Sequence, residues 1–87
     1  MTAAQAWNKL SEYLRSSEKE EYAPETIAEC KDCFVFSVRL KDDPPGISTG
    51  INPYIVYKIT GNVVSDKKLE KVSKMKPIKM INPRSVG

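Results

Sequence analysis

GINPYIVYKITGNVVSD, residues 50–66, holds two β-forming runs on either side of a turn. The first, Pro53-Tyr54-Ile55-Val56-Tyr57, is rich in β-branched and aromatic residues, which suit a pleated, half-buried surface. Thr60-Gly61-Asn62 interrupts it, and Val63-Val64 resumes it. A glycine at this point can take the left-handed conformation that a short hairpin loop requires. The stretch therefore predicts a β-hairpin bent at residues 59–61. Tyr54 and Val56 share one face of its first strand, Ile55 and Tyr57 the other. Apolar residues on both faces imply a central strand, or a second layer over the back of the sheet.

Upstream, Cys33-Phe34-Val35-Phe36-Ser37-Val38-Arg39-Leu40 alternates, with Phe34, Phe36, Val38 and Leu40 on the buried face. Residues 26–30 form a shorter strand candidate, joined to it by a tight turn at Lys31-Asp32. The N-terminus opens with Thr2-x-x-Gln5, the spacing of a capping box. Behind it Ala3, Ala6, Trp7, Leu10, Tyr13 and Leu14 recur every three or four residues, opposite Asn8, Lys9, Glu12 and Arg15. This is the pattern of an amphipathic helix of about four turns, with Trp7 as its central packing residue. The charged run from Glu18 and then Pro24 end it.

Downstream of the hairpin, Ser65-Asp66 offers a cap for a short helix over residues 67–75, which Pro77 stops. Residues 77–81 then read as a last short strand or an extended clasp, and residues 82–87 as a frayed tail. Residues 42–50, DDPPGISTG, are a loop by composition. The expected architecture is α+β: an N-terminal helix on a three- to four-stranded antiparallel sheet, with a short C-terminal helix. At 87 residues the chain is one domain.

Composition bounds the chemistry. There is no histidine, which removes Ser-His-Asp and Cys-His catalysis and the commonest metal ligand. Cys30-Lys31-Asp32-Cys33 supplies two thiols where a structural zinc site needs four ligands, and it sits between strands, away from the helix start that activates a redox thiol. The simpler reading is two cysteines flanking a hairpin bend in a reducing compartment. Asp42 and Asp43 follow a strand end but precede two prolines, the context of a solvated turn. No cofactor, metal or catalytic set is expected. Without a signal-like start or a long apolar run, the expected location is cytoplasmic, with no membrane partner.

The net charge of +3 is unevenly placed. Residues 1–43 carry nine acids and six bases (−3), residues 44–87 two acids and eight bases (+6). Lys67, Lys68, Lys71 and Lys74, with Lys76, Lys79 and Arg84, form a basic stripe able to meet phosphates. The stripe contains no aromatic platform, and its helical spacing is also that of an ordinary solvated face.

The order of the amphipathic helix, the CFVFSVRL strand, a loop, Asn52-Pro53-Tyr54-Ile55-Val56 and Thr60-Gly61-Asn62-Val63 resembles the YrhB-like small bacterial immunity-protein family over most of residues 3–75. A Pro-x-Ile-Val strand followed by Thr-Gly-x-Val also occurs in PepSY-type modules. The family resemblance implies a compact cytosolic α+β domain that neutralises a cognate toxin by binding it, without catalysis. The expected function is thus non-catalytic protein binding, with Ile55, Tyr57, Ile59, Asp42 and Asp43 as candidate contacts. The alternative is a nucleic-acid-binding accessory domain using Lys67, Lys68, Lys71 and Lys74.

Overall fold

A computed structural model describes residues 1–17, 22–40, 53–66 and 71–86. Helix α1 (Ala3–Ser17) starts at the predicted capping box. The Gln5 amide donates to Thr2 Oγ1 at 3.2 Å, and the Thr2 amide donates to Gln5 Oε1 at 2.9 Å. Two N–H groups that lack a partner within the helix are thereby satisfied.

Five strands follow: β1 (Tyr22–Glu29), β2 (Cys33–Leu40), β3 (Tyr54–Tyr57), β4 (Val63–Ser65) and β5 (Lys79–Ile81). Every neighbouring pair is antiparallel, in the order β4-β3-β2-β1-β5. The α+β class is as the sequence predicts, with one strand more than expected. β1 begins four residues earlier than its pattern indicates, because Pro24 is accommodated. β5 pairs only with Ile27, Ala28 and Glu29, so Pro24 lies on a stretch of β1 with no β5 partner, and a register shift separates it from Thr26. A proline tolerates both settings since it owes no hydrogen bond on the open side.

The hairpin bend lies where the sequence places it. Gly61 has φ 73°, and its amide donates to the Tyr57 carbonyl at 2.8 Å. Lys31-Asp32 likewise closes the β1–β2 turn, with the Cys30 amide donating to the Cys33 carbonyl at 2.8 Å.

One face of the sheet carries Ile27, Phe34, Phe36, Val38 and Val56 against Ala6, Trp7, Leu10 and Leu14 of α1. Trp7 packs tilted on Phe36 with ring centroids 5.8 Å apart, and Tyr13 meets Tyr54 edge-on at 6.1 Å. Trp7 is thus a core residue, and Tyr54 and Val56 do face the helix.

The second face is also covered. Cys30, Cys33, Val35 and Ile55 form a smaller cluster under Val72 and Met75. These two residues belong to the segment that leaves β4 at one sheet edge and reaches β5 at the other. Asp66, itself buried, anchors that segment: its Oδ2 accepts the amides of Lys71 (3.0 Å) and Val72 (2.8 Å). The predicted helix over residues 67–75 is corrected in its described part to a single 3-10 turn, Val72–Lys74. Met75 turns extended (φ −88°, ψ 143°) two residues before Pro77, which leaves no room for a further helical turn.

Residues 77–81 do supply a strand, β5. Within the expected frayed tail, residues 82–86 form a local turn. Asn82 Oδ1 accepts the Arg84 amide at 3.0 Å and caps the 3-10 turn Pro83–Ser85, and Val86 packs against the helix-side core.

Candidate protein-binding edge

With both sheet faces covered, the surface left for a partner lies at the sheet's edges and at exposed side chains outside the core. β5 forms one edge of the sheet, and its far side has no strand partner among the described residues. Register assigns its faces: Lys79 lies opposite Glu29 and Ile81 opposite Ile27 on the helix side, while Met80 lies opposite Ala28 on the back. Ile81 packs into the core, but Met80 is 64 % exposed and the preceding Ile78 65 %. Two large apolar side chains at one edge are unusual for a strand that solvent alone would border.

The charge around them is of one sign. Residues 71–86 contain Lys71, Lys74, Lys76, Lys79 and Arg84 and no acid, and all five cations are exposed. None of them forms an ion pair among the described residues. Beside Lys79, a hollow of about 500 Å³ opens between the start of α1 and β5, with Met1, Ala3, Glu29, Phe34 and Met80 among its walls. Glu29 is not free in it. Its Oε2 receives Lys58 Nζ at 3.0 Å, and the same ammonium sits 5.0 Å from the centroid of the Phe34 ring. The hollow is therefore electrically quiet at its floor and basic at its rim.

The residues expected from sequence fall in different places. Ile55 is fully buried under Val72 and Met75 and presents no surface. Tyr57 is half-buried against the same cluster, whereas Ile59 is 91 % exposed at the tip of the β3–β4 hairpin. Asp42 and Asp43 lie outside the described residues, as do Lys67 and Lys68. Lys71 and Lys74 are exposed around the 3-10 turn on the back of the sheet. The structure does not bring Ile59 together with the basic edge. Ile78 and Met80 were missed because their run, Pro77 to Ile81, reads equally as strand or clasp. The only available signal was an apolar pair spaced by a lysine, with no acid nearby.

No family model, curated protein or solved structure matches the chain. The site thus rests on its own geometry.

The two cysteines are free thiols, both buried. Cys33 Sγ donates to Met75 Sδ at 3.7 Å. Burial, and then the adjacent Cys30 thiol, push the Cys33 thiol up to about 11, so it is protonated at neutral pH and a poor nucleophile. Among the described residues no three Cys, Asp or Glu side chains gather as a metal site would need, and no helix is long and apolar enough to cross a membrane.

Proposed function

We propose that this chain is a non-catalytic domain that acts by binding another protein. The observation that carries the reading is the pair Ile78 and Met80, each about two-thirds exposed beside an open strand edge, while the rest of the sheet is covered by α1 and by Val72 and Met75. Exposed apolar side chains with a polar rim are what a binding face requires before its partner arrives. A chain without histidine, with both cysteines buried and the Cys33 thiol held protonated, has little left with which to catalyse. The resemblance to immunity proteins names the first partner to try, a toxin encoded beside this chain, and two free thiols fit a cytoplasmic setting.

The test is titration of the purified chain with the product of the neighbouring gene, followed by light scattering, alongside co-expression to measure relief of growth arrest. A one-to-one complex that restores growth is the expected result. Absence of any complex overturns the reading.

A nucleic-acid role for the basic stripe has a specific point in its favour, the five exposed cations of residues 71–86, none in an ion pair among the described residues. That segment has no aromatic residue on which a base could stack. Titration with DNA and RNA at two salt concentrations separates the readings, since phosphate contacts weaken steeply as salt rises.

A further inference from the structure

We infer that the sheet is extended beyond β5 by a sixth strand from outside the chain: an acidic, extended segment of a protein partner that adds along the open side of Lys79–Ile81. The inference rests on the protein-binding reading and specifies the partner's chemistry.

Three features point to this occupant. A strand edge offers alternating N–H and C=O groups that another extended backbone can satisfy, which is the basis of binding by strand addition. β5 is at the end of the sheet order, with no strand beyond it among the described residues, and Lys79 and Met80 are both exposed. Next, its charge selects against the commonest wrong guest. A second copy of β5 would bring its own Lys76, Lys79 and Arg84 against the first set, and like charges across strands are destabilising. An acidic segment would instead complete Lys79, and its flanks would reach Lys76 and Arg84, none of which forms an ion pair among the described residues. Finally, the two faces of β5 differ in a way that reads a sequence. Lys79 projects on the helix side and Met80 on the back, so the added strand should alternate, acidic towards the helix side and apolar towards the back. The hollow beside Lys79, floored by Phe34 and with Glu29 neutralised by Lys58, can receive an apolar side chain from the segment's end.

The experiment uses the full chain, nitrogen-labelled, and a short blocked peptide in which valine and glutamate alternate. Its expected result is saturable amide shifts centred on residues 78–81 and on Ile27 to Glu29, weakening as salt rises. A twin peptide methylated on every backbone nitrogen should not bind, because its donors are removed. K79E should weaken the parent peptide about fivefold or more, the scale of exchanging an attractive cross-strand charge pair for a repulsive one, with only a small fall in melting temperature from the new glutamate opposite Glu29. M80D should weaken it as well.

Several results overturn the inference: no shifts, shifts centred on β4 or the hairpin tip, or equal binding of the methylated twin. Self-association through β5 seen in sedimentation would also overturn it, as would a mixed-sequence oligonucleotide that displaces the peptide and binds more tightly. Failure here is distinct from failure of the protein-binding reading. A toxin that binds K79E and M80D as well as the parent removes the edge and keeps the function. A peptide that binds where no toxin does keeps the edge and removes the toxin.

Discussion

Asp66→Ala should unfasten the cover over the back of the sheet. The side chain is 6 % exposed and accepts two amides, from Lys71 at 3.0 Å and Val72 at 2.8 Å. Both are bonds to a carboxylate, the stronger class. Truncation leaves two partly buried donors without an acceptor, for which about 1–3 kcal/mol is the usual cost; water reaching this half-open segment holds the expectation near 2 kcal/mol. For a domain of this size each kcal/mol lowers the melting temperature by roughly 4–8 °C, so a fall of about 10 °C is expected by calorimetry. The same bonds seat Val72 and Met75 over Cys30 and Cys33. The variant should therefore also expose the thiols, read as faster modification by an aromatic disulfide reagent below the melting transition. Asp66→Asn keeps one acceptor oxygen and should lose about half as much. A melting temperature within about 2 °C of the parent refutes the anchoring role. Destabilisation with unchanged thiol reactivity refutes the link between Asp66 and the cover.

Three further outcomes are expected. The Cys33 thiol is raised in the folded state, to about 11, so the folded protein holds a proton that the unfolded chain releases from about pH 8.5. Stability from this group is complete below that pH and is lost as pH rises towards 11, by about 3 kcal/mol in all. Urea midpoints should fall over this window, and Cys33→Ala should lack that component when compared with the parent. Gly61→Ala meets only ordinary contact, with Lys9 Cε 3.6 Å from the added carbon. Its cost is then that of the left-handed backbone, about 1–2 kcal/mol, with Gly61→Asn losing less; an unchanged midpoint would refute this. Thr2→Ala breaks the capping box and should cost about 0.5–2 kcal/mol, seen as a lower melting temperature with unchanged β-sheet signal.

Local patterns were legible in the sequence where one element carries its own signal. The capping box, the period of α1, the alternation of β2 and the glycine of the hairpin each appear in the structure as their chemistry requires. Long-range placement was not. Lys79-Met80-Ile81 is too short to declare a strand, and nothing local shows that its partner is β1. The second apolar face of β3 was visible in Ile55 and Tyr57, but that Val72 and Met75 close it depends on the route of the chain across the sheet. Ile55 was thereby lost as a surface residue. The candidate edge followed the same rule: Ile78 and Met80 become informative only once the fold has left them uncovered.

The pairing of β5 with β1 also has a kinetic meaning. β1 to β4 each join a neighbour adjacent in sequence, whereas β5 closes onto residues more than half the chain away. Contacts of that separation form late, after the shorter loops have closed. During synthesis the side of β1 at Ile27, Ala28 and Glu29 therefore waits open until Lys79, Met80 and Ile81 emerge. A chain cut short before Lys79 would keep that central strand as a permanent border, without the lysine that guards the finished sheet, and would be prone to pair with its own copies.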